Sequence, residues 1–229
     1  MRTFWRTLDR GTLRAIAMVC VADAVVGASF GAVCVAGGLR PWVPTSMSLI
    51  VFAGGSQFAA VGVVLAGGSP VAAVAAGLLL NSRLLPYGFA VADLLGGRWW
   101  TRLAGAHLTT DESVAFAVGQ PDPARRRAAF WTCGIALFAC WNLAVGAGAL
   151  AATAIGNTDA FGLDAAFPAV LLTLVLPSLA DRGIRHAALL GAVLAVAVTP
   201  FLPAGLPPLL ALAGLVLLAR PAPAAPEVG

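Results

Sequence analysis

Five ionisable side chains sit where a greasy chain can least tolerate them: Asp23, Arg83, Asp93, Asp111 and Glu112 fall within or beside long apolar runs. A charge at the centre of a spanning helix costs about 2.5–3.5 kcal/mol on insertion scales, so such groups mark solute or proton pathways by default. Arg83 is the sharpest case. It lies near the middle of the apolar run 70–95, too deep for its stem to snorkel easily to either surface. It therefore requires an internal carboxylate or carbonyl. Pro86 has no N–H, which takes the helical donor from the Ser82 carbonyl and predicts a kink there. Tyr87, four residues after Arg83, shares its helix face. A guanidinium, a phenol and a freed carbonyl on one kinked helix suit the carboxylate of a zwitterion. The alternative is an Arg that ties helices together through a buried ion pair.

A second group is Gly54-Gly55-Ser56-Gln57-Phe58, in the middle of the apolar run 44–66. Paired glycines are poor helix formers, by about 1 kcal/mol each. In transporters such breaks aim the N–H groups of a half-helix at an anionic part of the substrate, with Ser56 and Gln57 as added polar ligands. Close helix packing through small residues, with Gln57 hydrogen-bonded across helices, explains the same pattern. A third group is His107-Leu108-Thr109-Thr110-Asp111-Glu112-Ser113. On one helix His107 and Asp111 would share a face and could share a proton. Adjacent Asp and Glu repel when both are ionised, which suits a proton-coupling group; a plain aqueous turn is the competing reading. Asp23 precedes Gly27-Ala28-Ser29-Phe30-Gly31, a Gly-x-x-x-Gly stripe that permits close approach of another helix, and Arg83 is its expected partner. Asp93, nearer the end of its run, reads as interfacial.

The elements that must position these groups are membrane helices. Of 229 residues, 60% are apolar and 10% charged, whereas a soluble domain carries about 25% charge to wet its surface. Several apolar runs exceed the ~20 residues that span hydrocarbon. They predict an all-α polytopic transmembrane bundle with helices at roughly 15–37, 44–66, 70–95, 103–119, 128–152, 163–180, 186–201 and 204–219. The polar fourth segment could be a half-helix or re-entrant element, which gives seven spans instead of eight. The chain divides into a basic cytoplasmic N-terminus (1–14), one membrane domain (15–219) and a disordered tail (220–229). All fourteen basic residues are Arg. Arg2, Arg6, Arg10 and Arg14 place the N-terminus on the cytoplasmic side, and Arg125-Arg126-Arg127, Arg182, Arg185 and Arg220 join them when eight helices alternate. Arg40, Arg98 and Arg102 fall on the other side as exceptions. A +4 net charge held in such loops is no nucleic-acid signal.

Other chemistry is not encoded by any motif present. Cys20, Cys34, Cys133 and Cys140 lie inside apolar runs without paired metal or redox spacing and read as small hydrophobic residues. There is no GxxxxGK[ST], HExxH or GxSxG sequence, so neither an enzyme nor a nucleotide-driven pump is expected, and no metal or cofactor.

Four motifs in order, Phe52-Ala53-Gly54-Gly55-Ser56-Gln57-Phe58, Asn81-Ser82-Arg83-Leu84-Leu85-Pro86-Tyr87-Gly88, Thr110-Asp111-Glu112-Ser113 and Gly162-Leu163-Asp164-Ala165-Ala166-Phe167-Pro168-Ala169, resemble the AzlC family over nearly the whole chain. The resemblance implies the large subunit of a two-component exporter of branched-chain amino acids in the bacterial cytoplasmic membrane. Such a subunit works with a small AzlD-type membrane partner and is driven by the proton gradient. Asn81, which opens the second motif, joins Gly54, Gly55, Ser56, Gln57, Arg83 and Tyr87 as candidate substrate-binding residues. Asp111, Glu112, Asp23 and His107 are the proton-coupling candidates. One departure is Leu84, where the family commonly has His after the Arg; if that His carries protons, His107 or Asp111 must do so here. Competing classes are a scaffold subunit, whose charges pair in dry interfaces, and a passive channel with a continuous pore. Arg83, Gln57 and Asp111 converging on a wet cavity is the arrangement that transport predicts.

Overall fold

The computed structural model of the protein describes residues 7–155 and 178–202, with isolated positions at 172, 176, 207, 210, 211, 213 and 214. The predicted helices at 163–180 and 204–219 fall mostly outside the described residues, as do the fourth motif at 162–169, Arg2, Arg6 and the tail from 220. Every described element is helical.

α1 (Arg10–Ala36) starts at Asp9, whose carboxylate accepts hydrogen bonds from the Thr12 amide at 3.0 Å and the Thr12 hydroxyl at 2.7 Å. The apolar run 44–66 forms two helices, α2 (Trp42–Ile50) and α3 (Gly54–Leu65). The run 70–95 likewise forms α4 (Pro70–Asn81) and α5 (Leu84–Val91), followed by one 3-10 turn, Ala92–Leu94. The polar fourth segment is α6 (Trp99–His107) and α7 (Asp111–Val118). α8 (Pro123–Ile155) is the long second pillar, and α9 (Arg182–Val198) starts at Asp181, which accepts from the Ile184 amide at 2.9 Å. α1 and α8 are long and apolar enough to cross a membrane, and α4 with α5, bent by 43°, makes a third candidate span.

The two pillars pack through glycine. A β-carbon on Gly27 would touch Trp141, one on Gly31 would lie 2.8 Å from the Ala149 amide nitrogen, and one on Gly148 would lie 2.7 Å from the Ala28 carbonyl carbon. Position 27 thus faces 141, and 31 faces 145 to 149, so α1 and α8 run parallel. Their basic starts, Arg10 and Arg14 beside Arg125-Arg126-Arg127, lie at the same end. Around the seam, Phe30 meets Phe58 edge-on with ring centroids 5.0 Å apart and stacks on Trp141 at 6.2 Å. Cys20, Cys34 and Cys133 are buried in this core. Ser48, fully buried on α2, donates to Asn142 Oδ1 at 2.6 Å and fastens α2 to α8.

The segment from α5 to α8 folds back on itself. Asp93 pairs with Arg126 at 3.8 Å, Trp131 Nε1 donates to the Leu94 carbonyl at 3.4 Å, and a β-carbon on Gly96 would lie 3.2 Å from the Arg127 guanidinium. The chain before α6 therefore adjoins the chain after α7, and the two short helices form a hairpin between. This corrects the orientation parity: Arg98 and Arg102 share an end with Arg125-Arg126-Arg127, because the α6–α7 hairpin returns where a straight span would have crossed.

Candidate functional site

Three helix interruptions meet at one cavity of about 420 Å³. Each has a local cause. At the first, α2 ends at Ile50, and α3 restarts at Gly54 behind an extended Ala53 (φ −157°, ψ 91°) with no side chain capping it. The glycines begin a helix instead of interrupting one. Gly54 is small because Trp141 of α8 lies against it, 3.0 Å from where a β-carbon would stand. At the second, the bend between α4 and α5 falls at Ser82-Arg83, one turn before Pro86, as the ring's clash with the carbonyl four residues back requires. At the third, Thr110 and Ser113 cap each other reciprocally and start α7 at Asp111.

Arg83, Asp111, Glu112, Asp23, Gly54 and Gly55 all line this cavity. Arg83 Nη1 meets Asp111 Oδ2 at 3.0 Å, with the two side chains 50% and 39% exposed. Both residues line the cavity, and the pair is not sealed in an interface. The Arg83 guanidinium also comes within 3.7 Å of where a Gly55 β-carbon would stand, so it shares its position with the uncapped amides at the start of α3. Such a start, with unpaired N–H groups and the positive end of the helix dipole, is an anion site. Asp111 Oδ1 and the indole N–H of Trp141 are both buried and without a hydrogen-bond partner among the described residues. Val26, Phe52, Phe58, Leu84 and Leu137 supply the apolar walls.

Other expected residues stand elsewhere. Asp23 reaches the cavity, but the partner of Arg83 is Asp111 and not Asp23, because the glycine stripe of α1 draws it against α8 rather than α5. The Ser82 carbonyl is not freed as a ligand: the Leu85 amide takes it at 3.1 Å. Tyr87 follows Arg83 on α5 but packs into the apolar cluster of Val91, Leu94, Val114 and Phe130, away from the cavity. His107 and Asp111 are not on one helix, since Leu108-Thr109-Thr110 intervene. The His107 ring lies edge-on to Phe138 at 5.5 Å and against Phe52 at 6.2 Å, behind the cavity wall. Ser56 donates to Asn81 Oδ1, and both border a separate cavity of about 360 Å³ among apolar side chains of α2, α3 and α4. Thr109 and Thr110 of the third group also line the cavity, whereas Trp141 was not singled out by the sequence, where an aromatic in an apolar run carries no mark of function.

Gln57 is fully buried, and its amide donates to the Val51 carbonyl at 3.0 Å and the Met47 carbonyl at 3.4 Å. It closes the end of α2 and does not line the main cavity. Gln57→Ala should therefore destabilise the fold by about 1–3 kcal/mol, the cost of stranding a buried partner, with little change in substrate affinity. Thermal unfolding set beside ligand binding measures this, and an affinity loss at unchanged stability would return Gln57 to the substrate site.

Residues 18–155 match a family described as AzlC protein, and that segment contains every residue named above as lining the main cavity. A Helicobacter pylori protein described as an uncharacterized membrane protein is 31% identical over 91 residues, a stretch covering 40% of this chain and 40% of that protein. No solved structure matches.

Proposed function

The chain belongs to the AzlC family, and on that premise we propose that it is the large subunit of a secondary transporter that exports branched-chain and other apolar amino acids from a bacterial cell. In this reading it crosses the cytoplasmic membrane seven or eight times with its N-terminus inside. A small AzlD-type subunit completes it and protons drive it. The observation that carries the reading is the amphiphilic cavity. A guanidinium beside an uncapped helix start suits a substrate carboxylate, with the unpartnered Trp141 N–H as a further donor. Asp111 Oδ1, lacking a partner, suits the ammonium, and the walls from Val26 to Leu137 suit an aliphatic side chain. About 420 Å³ lies within the ~300–1,000 Å³ of small-molecule sites. One methylene in such a pocket is worth only ~1–3 kcal/mol, so several apolar amino acids share the route. A scaffold would bury its charges in dry contact. Arg83 and Asp111 instead keep 50% and 39% of their side chains exposed and line the cavity.

Three carboxylates and one guanidinium face this cavity, so its charge changes with every proton it binds. Asp111, already joined to Arg83, is placed to exchange an internal partner for the substrate ammonium, and a proton on its carboxylate would release both. Asp111→Asn, which mimics the protonated carboxylate, is expected to weaken valine binding and to abolish the dependence of the remaining valine efflux on an imposed pH gradient. The assay is efflux of labelled valine from vesicles, with and without the small subunit. Efflux from Asp111→Asn that still tracks the gradient would move coupling to Glu112 or Asp23; absence of valine transport under every condition would remove the reading itself.

A further inference from the structure

We propose that the turn at Gly96 and the starts of α6 and α8 form a binding site for the phosphate headgroup of an anionic phospholipid. Gly96 takes the left-handed conformation (φ 85°), and its carbonyl accepts from Arg102 Nε at 3.3 Å. A β-carbon on Gly96 would lie 3.2 Å from the Arg127 guanidinium, and Arg126 reaches the Ala90 carbonyl at 3.3 Å. With Arg98, two residues past the turn and over the Trp100 ring at 5.9 Å, four arginines flank this turn. Asp93, held by Arg126, is the carboxylate among them. Arg98, Arg102 and Arg127 make no ion pair among the described residues. Such an excess of forked donors calls for an anion with several acceptor oxygens.

The surroundings make that anion a lipid. Trp99 is 73% exposed, Trp100 51% and Leu103 62%, all on α6 next to the arginines. Indole rings with basic residues at the edge of an apolar bundle are what a membrane interface selects, and basic pockets between helices take anionic headgroups. A soluble phosphate would leave these side chains facing water. The patch is also separate from the substrate cavity: Arg127 and the cavity residue Leu137 lie on one helix about 15 Å apart, at 1.5 Å per residue. The site would anchor the α6–α7 hairpin, whose far end carries Thr110 and Asp111, against the headgroup plane.

The test uses the full chain purified in neutral detergent, with phosphatidylglycerol, phosphatidylcholine or glycerol 1-phosphate added. Thermal unfolding and native mass spectrometry of retained lipid are the two readouts. Phosphatidylglycerol should raise the unfolding midpoint and stay bound, while phosphatidylcholine and glycerol 1-phosphate do neither. The triple variant Arg98→Gln, Arg102→Gln, Arg127→Gln should retain about tenfold less phosphatidylglycerol, the change that ~1.4 kcal/mol of lost headgroup contact produces. Arg125→Gln, whose arginine pairs locally with Asp122 at 3.5 Å, should retain it like wild type. Equal effects of the two lipids, equal effects of glycerol 1-phosphate, or undiminished retention by the triple variant would each overturn the proposal. If the triple variant does not fold, Arg102→Gln and Arg127→Gln singly, with the wild-type comparison of lipids, decide it.

Discussion

Arg83→Ala is expected to lower valine efflux by roughly ten- to a hundredfold while the amount of folded protein in the membrane stays close to wild type. The size follows from the ~1.5–3 kcal/mol that a hydrogen bond to a charged group contributes, with tenfold for each 1.4 kcal/mol. Stability should change little. The pair that Arg83 makes with Asp111 is half-exposed to the cavity, and pairs open to water are worth ~0–1 kcal/mol. Arg83→Lys should fall between, because an ammonium keeps the charge but not the fork that grips a carboxylate. A second variant separates binding from mere neutralisation. If Arg83 serves only to balance Asp111, then adding Arg83→Ala to Asp111→Asn should weaken substrate binding no further than Asp111→Asn alone. If Arg83 holds the substrate carboxylate, the double variant binds more weakly still. Unchanged efflux from Arg83→Ala at normal expression would take Arg83 out of the site altogether.

The groups that converge on the cavity were the ones that lipid makes conspicuous. Arg83, Asp111, Glu112 and Asp23 stand out because an isolated charge in an apolar run has few explanations, and all four line one space. Gln57, Ser56, Asn81 and Tyr87 were less legible, because a neutral polar side chain in a helix has several outlets. It can close a neighbouring helix, as Gln57 does for α2, pair across a seam, as Ser56 does with Asn81, or pack by its apolar body, as Tyr87 does. Spacing does not choose among these. The helix breaks show the same division. Pro86 announces its bend chemically, and Thr110 with Ser113 forms a cap whose residue types suit one. The break at 51–53 has no such signature, since Val51, Phe52 and Ala53 continue the apolar run. What decides it is tertiary: Trp141 of α8 occupies the space a continuous helix would need beside Gly54, and Gln57 absorbs the carbonyl that the break exposes.

The largest effect on stability is expected at Gly148. The α1–α8 seam is reciprocal: Gly27 and Gly31 of one helix admit the backbone of the other, and Gly148 admits Ala28 in return. Within a bilayer no hydrophobic force holds such helices together, so close van der Waals contact through small residues carries the association. A β-carbon at position 148 meets Ala28 main chain, which cannot rotate away as a side-chain tip could. Gly148→Leu therefore has to part the two pillars, at a cost at or above the ~3 kcal/mol upper end of ordinary overpacking. Gly146→Leu is the internal control. It lies on the same helix, costs the same glycine and adds the same bulk, yet nothing stands within 4 Å of where its β-carbon would be. Size-exclusion profiles of the solubilised protein should show Gly148→Leu largely aggregated and Gly146→Leu monodisperse. Function follows the seam as well. Asp23 lies one turn before Gly27 on α1, so a displaced α1 withdraws a carboxylate from the cavity, and any Gly148→Leu protein that survives should transport poorly despite an intact Arg83. Equal behaviour of the two leucine variants would mean that the pillars do not meet through these glycines, and the placement of Asp23 beside Asp111 and Glu112 would fall with them.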